Sequence, residues 1–133
     1  MDDGTYRGDL FGQARDNDDF RRVLATSPHT QLVVMTIPPG GEIGSEVHDG
    51  IDQVLIAVEG RGISILGGDE RPFDAGHAVV VPQGTRHNFV NTGSDPLRLV
   101  TIYGPPDHPP GTVHHTKADA DRDESDVPPQ PAS

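Results

Sequence analysis

From Phe20 onward the chain runs in short apolar stretches, FRRVLAT, QLVVMTI, QVLIAVE, GISILGG, AVVVP, HNFVN and LRLVTIY, parted by Gly, Pro, Asp and Asn. Each has the length of a β-strand and is rich in Val, Ile and Leu, the residues that pack well on a pleated surface. Glu59-Gly60-Arg61-Gly62 and Gly67-Gly68-Asp69 lie between apolar runs and supply the tight turns of antiparallel connections, and Pro38-Pro39-Gly40-Gly41 ends another run. No window of a dozen residues keeps apolar positions three and four apart, so little helix is expected. No period of 20–50 residues is evident, which removes solenoids and propellers. Many short strands with regular turns predict an all-β sandwich or barrel.

The flanks differ from this pattern. Residues 1–19 carry scattered Asp, Gly and Arg with Leu10 and Phe11 as a lone apolar pair, and are expected to form an N-terminal arm. Residues 20–104 hold the strands. Residues 105–117, PPDHPPGTVHHTK, read as an extended segment packed on the barrel. Residues 118–133, ADADRDESDVPPQPAS, are acidic, Pro-rich and without an apolar period, so a disordered tail is expected. Removing it after Lys117 should then leave folding unchanged.

Composition narrows the partners. Lys plus Arg total 10 against 21 Asp plus Glu, a net charge of −11 that repels a phosphate backbone, so nucleic acid is not an expected partner. No apolar run approaches the length of a membrane span, and MDDGTYRGDL lacks the basic and apolar regions of a secretory leader, so no membrane association and a cytoplasmic location are expected. With no cysteine, a metal would have to be held by His, carboxylate, amide or water.

One set of residues carries such chemistry. Glu46 and His48 stand two apart in SEVH, which on a strand puts both side chains on one face. Gln53 opens QVLIAVE, where alternation sets it beside Leu55 and Ala57 and lets its amide oxygen reach inward. His87 shares a face with Phe89 and Asn91 in RHNFVN. Imidazole, carboxylate and amide oxygen suit a first-row divalent ion such as Fe, Mn, Ni, Cu or Zn. Singly, a histidine on a strand is more often a satisfied core or surface group. Joint occupancy of four inward positions would outweigh that reading, because Glu46 would otherwise be a buried carboxylate without a counter-charge. His77, next to Gly76, and His29, in the turn SPHT, should face solvent, whereas His108, His114 and His115 lie on the extended segment, with His115 considered as a residue near the cavity mouth.

The spacings resemble those of the cupin superfamily, the RmlC-like jelly rolls. Its second motif is matched in full by Gly76, Pro82, Gly84, His87 and Asn91, and the Pro82-Gln83-Gly84 turn then implies delivery of His87 to the barrel interior. Its first motif is matched by Gly40, Glu46, His48, Gln53 and Gly60, with Glu46 where a His is usual and Gln53 where a Glu is usual. The resemblance, covering Leu32 to Tyr103, implies a double-stranded β-helix of one domain with a single divalent metal on Glu46, His48, Gln53 and His87. It implies a small-molecule ligand or substrate, and the strand pattern itself predicts a homodimer joined through edge strands near the N-terminus.

The same fold hosts many activities, so function rests on the site. Three side-chain ligands plus an amide leave coordination positions for water, substrate or dioxygen, which favours a metal-dependent enzyme, an oxidoreductase of dioxygenase type. A sugar-phosphate isomerase like the cupin phosphomannose isomerases uses the same residue types but needs a basic clamp, and only Arg61, Arg71, Arg86 and Arg98 stand near the motifs. A non-catalytic small-molecule-binding barrel is the third possibility, discriminated by activity with and without metal.

Overall fold

The computed structural model describes residues 4–125. Nine strands follow one another as β1 (Arg21–Thr26), β2 (Gln31–Ile37), β3 (Asp52–Glu59), β4 (Arg61–Leu66), β5 (Asp69–Asp74), β6 (Ala78–Val81), β7 (His87–Asn91), β8 (Leu97–Gly104) and β9 (Val113–His114). Two helices flank them, α1 (Leu10–Asp16) and α2 (Lys117–Ser125). A six-stranded sheet has the order β6-β3-β8-β2-β1-β9, a three-stranded sheet has the order β5-β4-β7, and the ladders are antiparallel. Residues 42–46, between β2 and β3, extend the smaller sheet through bridges from Glu42 to Val90 and from Glu46 to His87. Two facing antiparallel sheets built this way make the expected jelly-roll barrel.

The core lies between the sheets. Val33, Met35, Ile37, Leu55, Leu97 and Leu99 come from the large sheet and meet Phe73 and Phe89 from the small one. The two phenyl rings pack edge to face with centroids 4.9 Å apart. Each contributes about 1.5–3 kcal/mol by burial, and the ring pair about 1 kcal/mol more. At Gly60 (φ +93°) a Cβ would stand 2.6 Å from the Pro96 carbonyl oxygen, so only glycine lets the chain turn there from β3 into β4.

The flanks depart from expectation in ways that trace to single buried residues. Within the N-terminal arm, α1 lies on the outer face of the large sheet. There Ala14, with Leu10 packed beside it, covers Val34 and Val100. Asp9 caps the helix by accepting from the Gly12 N–H at 3.1 Å. The acidic segment expected to be disordered is helical over Lys117–Ser125, with Ala120 buried in the main core. One inward alanine is too little to register as an apolar period, yet it docks the helix. Residues 126–133 lie outside the described residues. Among those described, the edges of the large sheet are β6 and β9, and the two-residue β9 pairs with Arg21 and Arg22 of β1. No described helix is long and apolar enough to cross a membrane.

Candidate metal centre

The segment carrying Glu46 and His48 is laid against β7 by backbone hydrogen bonds. The Ile43 N–H donates to the Phe89 carbonyl at 2.9 Å, Glu46 and His87 exchange both N–H···O bonds at 2.9 Å, and the Gly84 N–H donates to the His48 carbonyl at 2.8 Å. Gly84 sits at φ +79°, the left-handed turn that sends the chain from Pro82 back into β7. This register sets Glu46 directly opposite His87. Gln53 arrives from β3, paired with Tyr103 of β8, which is itself paired with Gln31 of β2. Three inward side chains thus cross the large sheet in one row.

One ligand atom from each of Glu46, His48 and His87 falls within 4.8 Å of the others, so these three could hold a metal ion. Donors about 2.1 Å from one ion stand roughly 3–4.2 Å apart, so closing on an ion needs only a small adjustment of side chains. The His87 Nδ1 is 2.9 Å from the Thr85 carbonyl oxygen, which fixes the proton on Nδ1 and leaves the Nε2 lone pair free. The His48 Nε2 comes within 2.9 Å of Glu46 Oε2 but is poorly aligned to donate an N–H, and it is buried with no hydrogen-bond partner. The Gln53 Nε2 donates to Thr101 Oγ1 at 2.9 Å, and its Oε1 is buried without a partner. The Glu46, His48 and His87 cluster, with the orphaned Gln53 oxygen, is a donor set that suits a divalent ion.

Electrostatics agree with the close contact. Burial works to raise the Glu46 pKa, but the adjoining His48, helped by the charge of Arg21, holds it below the usual carboxylate value. The approach of the Glu46 carboxylate raises His48, against burial. Each holds the other charged in the metal-free chain, whereas an ion would require neutral His48.

The C-terminal strap closes the other side of the site. Gln31, fully buried, accepts from the N–H groups of Asp107 and His108 at 3.1 and 3.0 Å and donates to the His108 carbonyl at 2.7 Å. This clamp brings Asp107 Oδ2 to 3.8 Å from His48 Nδ1 and His108 Nε2 to 3.3 Å from the Tyr103 hydroxyl. Burial raises Asp107 above the normal carboxylate value, pushes His108 down to about 3 and raises the Tyr103 phenol.

The remaining sequence assignments sort clearly. His77 and His29 are exposed, as expected, and His77 Nδ1 accepts from the Asp74 N–H at 3.1 Å. His115 is also exposed and binds Asp19 at 2.6 Å, which commits it to the approach to β1 rather than to the candidate centre. The strap residues beside the site are Asp107 and His108. Arg61, Arg71 and Arg86 are exposed, and Arg98 pairs with Asp18 and Glu59 outside the barrel. Arg21, not counted among the basic residues near the motifs, is buried in the interior. Alternation in FRRV holds its signal: Arg21 shares a face with Val23, while Arg22 faces out to Asp19.

The cupin-domain family model matches residues 33–103, more than half of the chain. The chain is a cupin. This cupin is 46% identical over 112 residues to the uncharacterised protein YrkC of Bacillus subtilis, covering 80% of this chain and 60% of YrkC. It is also 28% identical over 68 residues to an oxalate-binding protein of Thermotoga maritima, covering 51% of this chain and 56% of that protein. The chain therefore spans little more than half the length of these relatives. The crystal structure of BH2720 from Bacillus halodurans superposes with a TM-score of 0.87 at 40% identity, covering 88% of this chain and 93% of that one.

Proposed function

We propose that this cupin holds one divalent metal on Glu46, His48, Gln53 and His87 and is a metal-dependent enzyme, of oxidoreductase type, acting on a small organic molecule. The observation that carries it is the cluster of one ligand atom each from Glu46, His48 and His87 within 4.8 Å of one another, with the His87 Nδ1 proton committed to Thr85 and the Gln53 Oε1 buried without a partner. A metal there would supply Lewis acidity and, if iron, manganese or copper, one-electron chemistry. The chain's own residues supply the rest. Thr85 orients His87, Asp107 faces the far nitrogen of His48, and Thr101 orients the Gln53 amide so that its oxygen faces inward. The neutral His108 and the Tyr103 hydroxyl present a proton donor and acceptor pair at the strap side of the site.

A non-catalytic binding role is favoured by one observation, the similarity to a protein named for binding oxalate. A sugar-phosphate isomerase fits less well, because a single interior arginine is a poor clamp for a phosphate dianion. Metal analysis of the full chain purified without chelators, with spectra under air and under nitrogen, tests the proposal. One equivalent of a redox-active ion with an oxygen-dependent spectrum is expected. Zinc alone would favour Lewis-acid or binding roles, and a chain that takes up no divalent ion would contradict the proposal.

A further inference from the structure

Arg21 is 2% exposed and points from β1 into the barrel, in the inward row that continues through Met35 of β2 and Leu99 of β8. A buried guanidinium is costly unless its five donors and its charge are matched. Here its one described side-chain hydrogen bond runs from Nη1 to His114 Nδ1, at 3.1 Å. The His114 Nε2 in turn lies 2.8 Å from Asp123 Oδ2 on α2, so His114 is held as a neutral acceptor toward the arginine. The Nε of Arg21 is buried and has no partner, and among the described residues no carboxylate reaches it within ion-pair distance. Its charge nevertheless acts on Glu46, His48, Tyr103, Asp107 and His108, the groups that surround the candidate centre.

We infer that Arg21 is the anion anchor of this site and that its ligand is a small organic carboxylate. The inference rests on the metal site proposed above and names what that site binds. Formal charge supports it: a dication and Arg21 against Glu46 and Asp107 leave the interior one positive charge in excess, which a carboxylate would neutralise. Geometry supports it too, since a guanidinium offers a planar fork that matches a carboxylate, and His114, itself bound to Asp123, holds Nη1 and leaves Nε without a partner.

Calorimetric titration of the full chain, both metal-free and loaded with Mn²⁺, tests this with glycolate, its uncharged counterpart glycolamide, and inorganic phosphate. Arg21→Met keeps the volume and removes the charge, and Arg21→Lys keeps the charge without the fork. Glycolate should bind the wild type well ahead of glycolamide and phosphate, weaken roughly thirty-fold or more in Arg21→Met, and fall between in Arg21→Lys. The manganese content of Arg21→Met should match the wild type. Its melting temperature without ligand should equal or exceed that of the wild type, because an unmatched buried charge is gone. Glycolate should raise the melting temperature of the wild type but not of the variant. Equal binding of glycolate and glycolamide, or unchanged glycolate affinity in Arg21→Met, would overturn the inference. So would loss of metal from Arg21→Met, which would make Arg21 part of the site's scaffold. If no metal binds but metal-free wild type still takes glycolate through Arg21, the anion anchor stands and only the metal proposal fails.

Discussion

Glu46 and His87 face each other as an isolated antiparallel bridge, each donating its N–H to the other's carbonyl at 2.9 Å. Residues 41 positions apart in sequence are thereby fixed side by side, so the distance between the carboxylate and the imidazole is set by backbone pairing rather than by side-chain freedom. His48 enters from the same segment, one side chain further along the shared face. Preorganisation of this kind lowers the cost of closing on an ion.

Gln53→Glu should separate the metal-bound and metal-free states. The new carboxylate would replace an unpartnered amide oxygen with a charged ligand and tighten a divalent ion by roughly ten-fold or more. Without metal it would sit buried near Glu46, its pKa raised by burial and by the like charge. The folded state then binds the extra proton more tightly than the unfolded chain, so stability is retained at low pH and lost as pH rises through the raised pKa. Metal-free Gln53→Glu should therefore be about 1–3 kcal/mol less stable than wild type at pH 7 and recover toward pH 5. Denaturant unfolding with and without metal reads both effects.

Seven of the nine strands are legible from apolar runs alone, because each carries Val, Ile or Leu in a short run bounded by turn residues. The strand β5 is not, since DERPFD buries only Phe73 and carries Pro72, as an edge strand can. The two helices are hidden for the same reason, each docking through one fully buried alanine, Ala14 or Ala120. At the site, the meeting of Glu46, His48 and His87 is legible from spacing, although Glu46 and His48 lie between β2 and β3 rather than on a strand. Gln31, Asp107 and His108 are not legible, because they meet only when the strap folds over the barrel, bringing Gln31 against residues 76 and 77 positions away, and Arg21 is signalled by alternation in FRRV alone.

The helix α2 offers a direct check on that account. Ala120→Asp would bury an unpaired carboxylate in the main core, whereas Ala118→Asp would add a charge to an exposed position of the same helix. The first should cost about 2 kcal/mol or more, several degrees of melting temperature, and the second should change little. Removal of the chain after Lys117 should likewise lower the melting temperature, since it deletes Ala120 and the Asp123 partner of His114. Equal melting of all these variants and the wild type would show that α2 does not dock.

His108 predicts an acid limb in stability. Its folded pKa of about 3 lies below the unfolded value of 6.5, chiefly through burial. Above pH 6.5 both states are neutral there. As pH falls below 6.5 the unfolded chain takes a proton that the fold refuses, so stability declines by up to about 1.4 kcal/mol per pH unit toward the folded value. Between pH 6.5 and 5 this decline should be marked in wild type and shallower in His108→Gln, measured by denaturation midpoints across that window. Parallel curves would place His108 in contact with solvent.

Metal content of His87→Ala and His77→Ala tests the central claim most directly. His87 is buried in the barrel opposite Glu46, while His77 is an exposed residue of the turn before β6. Both full-length variants, purified alongside wild type without chelators and checked for β-rich circular dichroism, would be analysed for bound metal. The account predicts that His77→Ala keeps the wild-type equivalent and that folded His87→Ala loses it. Full metal content in His87→Ala, or loss of metal from His77→Ala, would contradict the account.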